Sequence, residues 1–298
     1  MTSYLVNVPV ADLRREPIAS LGNYSQDPLQ ESQLLFGEKV QVLEEKNGWL
    51  RIEALEQQKC HKDGSWGGYP GWVKADEIVM THQDIEPNLV VHDLWAEIKD
   101  EKTGNTVNWV TFGTLLKGIS CQKGEWLVML PDGRRGVVRA SPVRPLLLSL
   151  HDLRNSLVNL GKNFLGFPYL WGGRSAFRKD DEHSGNLTSV DCSGLLNLLY
   201  RVHNINIPRD AHDQFLKCQK INPIDLKAGD LIFMASKSKP DRMTHVMMYN
   251  GNNSLLESTA ASNSVRIISF KDRIGKSLME MRVGHSNDGH NFYFGTFI

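Results

Sequence analysis

Residues 191–202 read DCSGLLNLLYRV, in which a cysteine precedes apolar residues at helical spacing. Leu195, Leu199 and Val202 would share one face of a helix that begins at Cys192. The unpaired N–H groups and the positive dipole end at a helix amino terminus favour a thiolate over a thiol. Because a thiolate is the nucleophilic form of cysteine, Cys192 is a candidate nucleophile. The alternative is a buried cysteine that only packs.

A nucleophilic thiol needs a base, and His245 is the candidate because it lies in the otherwise apolar stretch HVMMYNG at 245–251. A Cys–His pair also needs a third group that orients the imidazole. Asn and Gly residues at 250–253 predict a hairpin turn, which would place Glu257 beside His245 on the next strand. Glu257 is therefore the candidate third catalytic residue. The alternatives are a core histidine and a solvent-facing glutamate.

The first 146 residues are short β-type runs separated by turn residues. Residues 40–52 hold two alternating runs around Asn47-Gly48, a strong hairpin signal. A similar order of residues occurs twice: Phe36-Gly37, Trp49 and Gly71-Trp72-Val73-Lys74, then Phe112-Gly113, Trp126 and Gly136-Val137-Val138-Arg139. The pattern predicts two small β-barrels, at 1–82 and 83–146. The alternative is a chance likeness between two unrelated β segments.

Residues 147–298 have a mixed pattern. Leucines and a phenylalanine spaced three or four apart between 150 and 164 predict an amphipathic helix ahead of the one at Cys192. Short β-type runs follow at 230–235, 245–251, 254–259, 264–270 and 291–298. Helices followed by a run of strands predict an α+β domain.

Composition excludes several classes of protein. The 298 residues carry 34 Lys+Arg and 34 Asp+Glu, and a neutral chain is a poor duplex binder, so we expect no nucleic-acid partner. No apolar run approaches the roughly 18 residues of a membrane span. The first residues lack the pattern of a secretory signal, which predicts a cytoplasmic location unless a leader has been removed. The four cysteines have no zinc-ligand spacing, so we expect no metal.

Five segments in this order carry a resemblance to a known family. They are Tyr169-Leu170-Trp171-Gly172-Gly173, Asp191-Cys192-Ser193-Gly194, Pro208-Arg209-Asp210-Ala211 with Gln214, Ala228-Gly229-Asp230-Leu231 and His245-Val246. Together they resemble the NlpC/P60 cysteine peptidases, and the N-terminal repeats resemble bacterial SH3-like (SH3b) barrels. The arrangement is similar to the γ-D-glutamyl-L-diamino acid endopeptidases of murein-peptide recycling. The resemblance implies a papain-like α+β catalytic domain, a murein (peptidoglycan) stem peptide as substrate and no cofactor.

The resemblance also implies roles for individual residues. The catalytic set is Cys192, His245 and Glu257, and the residues of the oxyanion site and cleft are Tyr169 and Trp171. The residues expected at the D-glutamyl part of the substrate are Asp191 and Ser193, and Arg209 is also expected to bind substrate. The residues expected at the free amine of its L-alanine are Asp210, Tyr69 and one acid of the first barrel, Glu31 or Glu38.

The residues expected at the L-alanine amine imply a preference for peptides whose amine is free. Carboxylates gain charge-assisted hydrogen bonds from a free ammonium group. A blocked amine would leave buried carboxylates unpaired, which is costly, so we expect selection of free peptides. Glu257 departs from the family, which usually has His at this position and sometimes Asn or Gln. This departure keeps open a catalytically weak wall-binding protein. A second alternative, with the same fold, is a hydrolase of intact peptidoglycan, which would tolerate a blocked amine.

Overall fold

Two antiparallel sheets form the N-terminal half of the computed structural model, which describes residues 3–19, 27–83, 85–146, 152–178, 187–282 and 284–298. The strands of the first sheet are β1 (Ser3–Val6), β2 (Val10–Arg14), β3 (Gln30–Leu35), β4 (Lys39–Lys46), β5 (Trp49–Cys60), β6 (Trp66–Lys74) and β7 (Ile78–Thr81). Those of the second are β8 (Leu89–Val91), β9 (Trp95–Asp100), β10 (Thr106–Thr111), β11 (Leu115–Gln122), β12 (Glu125–Met129), β13 (Arg135–Arg139) and β14 (Val143–Pro145). Residues Ala75–Glu77 form a 3-10 turn before β7.

The two sheets share one topology. The strand order is β3-β2-β6-β5-β4-β1-β7 in the first and β10-β9-β13-β12-β11-β8-β14 in the second. These orders are identical when each sheet is numbered from its own first strand, which confirms the internal repeat. Gly37 and Gly113 also adopt the same left-handed backbone, with φ of 81° and 84°. The domain boundaries at residues 82 and 146 stay predictions.

The hairpin at Asn47-Gly48 forms as expected. Lys46 of β4 pairs with Trp49 of β5, so the loop has two residues. Asn47 and Gly48 both have positive φ, 51° and 78°, as a type I′ turn requires. Each sheet encloses its own apolar cluster, centred on residues such as Ile52 in the first and Ile98 in the second.

In the C-terminal half, the described residues form four α-helices, which pack ahead of and around an antiparallel sheet. The helices are α1 (Leu153–Lys162), α2 (Cys192–Arg201), α3 (Ala211–Lys217) and α4 (Phe270–Ile274). The strands are β15 (Gln219–Lys220), β16 (Leu231–Ser236), β17 (Met243–Gly251), β18 (Ser254–Thr259), β19 (Ser264–Ser269), β20 (Ser286–Asn287) and β21 (His290–Thr296). Their order is β15-β21-β16-β17-β18-β19, with β20 on β21, and 3-10 turns occupy Pro223–Asp225 and Leu278–Glu280. This is the expected α+β layout.

The first predicted helix is shorter than the leucine pattern. It begins at Leu153 and ends at Lys162, with Phe164 just after it. The start of the pattern at Leu150 lies outside the described residues. Among those described, no helix is both long and apolar enough to cross a bilayer.

Helix α2 begins at Cys192, as predicted, but it is buried on all sides rather than on one face. One side contacts β17 and β18 of the C-terminal sheet. The other side faces the second N-terminal sheet, where a Cβ at Gly113 would lie 2.8 Å from a methyl carbon of Leu198. Val10, Leu35, Val90 and Phe112 of the N-terminal half belong to the same apolar cluster as α2. The N-terminal sheets thus help to hold the helix that carries Cys192.

Candidate active site

The structure brings the three predicted catalytic residues together. Cys192 is the first residue of α2, and it lies close enough to His245 of β17 for its negative charge to raise the pKa of the imidazole. His245 Nε2 is 2.8 Å from Glu257 Oε2, which leaves Nδ1 as the nitrogen for the thiol. The two partners are buried, with exposures of 8% for His245 and 1% for Glu257. The arrangement has the nucleophile, base and orienting group that acyl transfer requires.

The register of β17 and β18 explains why a long side chain occupies the third position. Met248 pairs with Leu256, which puts Glu257 on the same face as His245 and one diagonal step away. The turn between the strands is Asn252-Asn253, both with positive φ. The predicted hairpin is therefore present, but the two catalytic residues are diagonal neighbours rather than directly opposite each other.

Two arginines that the sequence reasoning missed hold Glu257. Arg266, its direct partner on β19, donates from Nη2 at 2.8 Å to Oε1. Arg273 of α4 donates from Nε at 2.9 Å to Oε2. Burial raises the pKa of Glu257, but His245 and the two guanidinium groups outweigh burial and lower it to about 2. Glu257 is a charged acceptor throughout the neutral range.

The protonation of His245 reflects three opposing influences. Burial lowers the pKa of His245, whereas the Cys192 thiolate and the Glu257 carboxylate favour the imidazolium and raise the pKa to about 9. His245 is therefore an imidazolium at neutral pH, and a neighbouring imidazolium favours the thiolate form of a cysteine nucleophile.

Asp191 anchors the start of α2. Its carboxylate accepts hydrogen bonds from the backbone N–H groups of Gly194 at 2.7 Å and Gly172 at 3.1 Å. A Cβ at position 194 would lie 2.2 Å from the carbonyl oxygen of Gly173, so only glycine fits there. These contacts fix the Gly172-Gly173 segment against the amino terminus of the helix and so position Cys192.

Arg209 also supports this helix start, which corrects its expected place at the substrate. It is 1% exposed, and its Nη2 lies 2.7 Å from Asp191 Oδ2. Its remaining nitrogens donate to Ser32, Ser193 and the carbonyl of Gly173. With every nitrogen engaged inside the protein, Arg209 holds Asp191 in place rather than offering a donor to a ligand. Ser193, 5% exposed, lies between them.

Tyr169 and Trp171 differ in exposure. Tyr169 is 7% exposed, and burial together with negative charge on Asp191 and Cys192 raises the pKa of its hydroxyl far above the ordinary value. The hydroxyl is therefore a donor at any neutral pH, as an oxyanion site needs. Trp171 is 50% exposed, so its ring is open to solvent and to a ligand.

Tyr69 of β6, Glu31 of β3 and Asp210, the residue before α3, meet and form what we call the carboxylate pocket. The Tyr69 hydroxyl lies 3.1 Å from Glu31 Oε2 and 3.2 Å from both carboxylate oxygens of Asp210. Asp210 precedes α3 without capping it through its side chain, so its carboxylate is directed to this pocket instead. The sequence separation between Tyr69 and Asp210 means that this site exists only when the two halves of the chain pack together.

Glu38, the other acid considered for this pocket, lies elsewhere, which corrects its expected role. It is 2% exposed and accepts a hydrogen bond from Arg174 Nη1 at 2.7 Å. Arg201 Nη2 is 3.4 Å away, and Gln57 also donates to it. Burial raises the pKa of Glu38, but the guanidinium groups outweigh burial and lower it. Glu38 ties the first sheet to α2, and of the two candidates only Glu31 reaches Tyr69.

The pocket carboxylates already have cationic partners. Lys59 Nζ lies 2.6 Å from Asp210 Oδ2, and Arg15 Nε lies 2.5 Å from Glu31 Oε1. The sequence reasoning missed both cations and expected unpaired acids. A cavity of about 360 Å³ opens here, lined by Arg15, Glu31, Arg51, Lys59, Tyr69, Pro70, Gly71 and Trp72. Within the described ranges, no cluster of three or more His, Cys, Asp and Glu side chains could hold a metal ion.

Comparison with known proteins gives consistent matches. The NlpC/P60 family pattern matches residues 166–282. The chain is 31% identical over 252 residues to the gamma-D-glutamyl-L-lysine dipeptidyl-peptidase of Bacillus subtilis (strain 168), covering 83% of this chain and 78% of that protein. A protein of the same name from Bacillus cereus (strain ATCC 10987 / NRS 248) is 29% identical over 248 residues, covering 80% and 70%. A crystal structure of an NlpC/P60 family protein from Bacillus cereus ATCC 10987 has the same fold, with a TM-score of 0.76 and 24% identity over 91% of this chain and 94% of that chain.

Proposed function

Since this chain belongs to the NlpC/P60 family of cysteine peptidases, we propose that it hydrolyses the γ-D-glutamyl-diamino acid bond of murein stem peptides. The observation that carries the proposal is the position of the carboxylate pocket relative to the nucleophile. Asp210 of the pocket directly follows Arg209, which bonds the residue before Cys192. A short peptide with its amine at Asp210 would extend from there toward the thiol.

The proposed reaction uses the charged pair. The Cys192 thiolate attacks the γ-carbonyl of the D-glutamyl residue, and the backbone N–H of Cys192 with the Tyr169 hydroxyl stabilises the oxyanion. His245 then gives its proton to the departing amine of the diamino acid. An acyl-enzyme remains, and His245 takes a proton from the water that hydrolyses it. Glu257 holds the imidazole in one orientation throughout.

The relatives' names support the proposed substrate. Two relatives carry the name gamma-D-glutamyl-L-lysine dipeptidyl-peptidase, which supports lysine as the leaving group, and meso-diaminopimelate is the other candidate. A free L-alanine amine occurs on peptides that have been released from the glycan, which supports a role in murein-peptide recycling. We further propose a cytoplasmic location, in keeping with a substrate of that kind.

A second candidate function, hydrolysis of stems still attached to glycan, is favoured by one observation. Lys59 and Arg15 pair the pocket carboxylates, so a blocked amine would not leave them without a counter-charge. The energetic argument for rejecting attached stems is therefore weaker than the sequence alone implied.

Mass spectrometry of peptide products tests both candidates. The substrates are L-Ala-γ-D-Glu-meso-diaminopimelate, its L-lysine counterpart and the N-acetylated form of each. Cys192→Ala should abolish cleavage, whereas Cys121→Ala, which removes an exposed thiol on the second sheet, should not. Faster cleavage of the free peptides supports recycling, and equal rates on acetylated peptides support the second candidate. A wild type that cleaves none of them, or a Cys192→Ala enzyme that still does, contradicts the proposal.

A further inference from the structure

The carboxylate pocket, where we place the substrate amine, already holds an ammonium group of the protein, that of Lys59. Lys59 Nζ is 2.6 Å from Asp210 Oδ2 and 4.1 Å from the centre of the Tyr69 ring. A carboxylate and an aromatic face are the partners that a primary ammonium group prefers. The α-ammonium of a substrate L-alanine would need the same two groups. Lys59 and the substrate amine are therefore chemically equivalent candidates for one position.

Lys59 is placed in the pocket by the fold but is able to leave it. It lies near the end of β5, where it pairs with Gly67 of β6, so its backbone position is fixed. Its side chain is 26% exposed and that of Asp210 is 33% exposed. A partly exposed pair between flexible side chains is weak and is screened by solvent. Lys59 can thus turn into solvent when another cation arrives.

We propose that Lys59 is a specificity-determining residue that occupies the amine position of the free enzyme and competes there with the substrate ammonium group. The inference rests on the proposed function. A peptide with a free amine must displace Lys59 from Asp210. A peptide with a blocked amine has no charge to place there, and the pair stays intact. Lys59 therefore reduces the difference in kcat/KM between peptides with a free amine and peptides with a blocked amine.

Substitution of Lys59 tests this competition. Lys59→Met keeps most of the apolar stem and removes the charge. Its ratio of kcat/KM for the free peptide to kcat/KM for the acetylated peptide should rise about fivefold, through a lower KM for the free peptide. Lys59→Arg keeps a cation and should stay near the wild-type ratio. Lys62→Met, at an exposed site in the turn after β5, is the matched control and should change nothing.

A binding measurement separates this inference from the proposed function. Isothermal titration of the dipeptide L-Ala-γ-D-Glu into Cys192→Ala and into Cys192→Ala/Lys59→Met needs no turnover. Tighter binding by the double variant supports the competition. Equal or weaker binding overturns it, because Lys59 would then be neutral toward the ligand or a direct contact of it. Failure of the wild type to cleave any peptide would count against the proposed function, while the titration would still decide the role of Lys59.

Discussion

Replacement of Glu257 by Gln is the sharpest perturbation of the catalytic group. The change keeps the side-chain length that the diagonal step from β18 to His245 requires. It removes one negative charge from a carboxylate that three groups contact: His245, Arg266 and Arg273. The two guanidinium groups remain, so the local charge around the imidazole becomes more positive by one.

The size of the effect follows from the pKa of His245. That pKa is about 9, against an ordinary 6.5, which corresponds to about 3 kcal/mol in favour of the imidazolium. Burial opposes the shift, and both the Cys192 thiolate and the Glu257 carboxylate favour the imidazolium. An opposite charge at hydrogen-bonding distance is worth about 1 pK unit or more, so Glu257→Gln should bring the pKa of His245 to about 8 or lower. At pH 9 the imidazolium fraction would then fall about fivefold.

The pH dependence of kcat/KM on the free stem peptide measures this shift. The alkaline limb should have its midpoint near pH 9 in the wild type and about one unit lower in Glu257→Gln, because the imidazolium is the acid that protonates the leaving amine. Glu45→Gln, at an exposed position on β4, serves as the control and should leave the limb in place. An unmoved alkaline limb in Glu257→Gln would refute the role given to Glu257.

Three further predictions concern the charges around the site. Arg273→Met should move the alkaline limb to higher pH, since it removes a cation near the imidazolium. It should also lower kcat, because Glu257 is held less firmly. pH–rate profiles measure both effects. Glu257 stabilises the fold above pH 4.5 and loses that contribution as the pH falls toward about 2, so between pH 5 and pH 3 the wild type should lose more thermal stability than Glu257→Gln. Glu38→Gln should destabilise the protein by about 3 kcal/mol in urea unfolding, because Arg174 would stay buried without its counter-charge; a loss below about 1 kcal/mol would contradict this.

Local signals made the centre of the site predictable. The helix start at Cys192 depends on neighbouring residues, and the hairpin that brings Glu257 to His245 depends on a turn within the same segment. Two-residue turns and helix ends are encoded over a few positions, so a single sequence reveals them. The repeated topology of the N-terminal sheets was also visible, because the turn at Gly37 recurs at Gly113.

The cationic partners of the site carboxylates could not be predicted from the sequence, and the reason is physical. A lysine or arginine on a strand reads as a solvent-facing residue, and only the tertiary packing shows which carboxylate it meets. Lys59 and Asp210 are 151 positions apart, and Arg174 and Glu38 are 136 apart. The choice between Glu31 and Glu38 depended on the same packing, since the two lie only seven positions apart, on β3 and in the turn that follows it. Arg266 had the strongest sequence signal, as a lone cation in an apolar strand.

Glu257 was the feature that favoured a catalytically weak protein, and its surroundings argue the other way. An isolated carboxylate at this position would bring a second anion to the histidine that already faces the Cys192 thiolate. Arg266 and Arg273 offset that charge, and the carboxylate still offers Oε2 to His245 at 2.8 Å. A buried carboxylate with three donors is held more firmly than a neutral side chain with one, because each charge-assisted bond restricts its rotation. Glu257 and its two arginines therefore act as one orienting group: the carboxylate orients His245, and the arginines offset its charge and hold it in place.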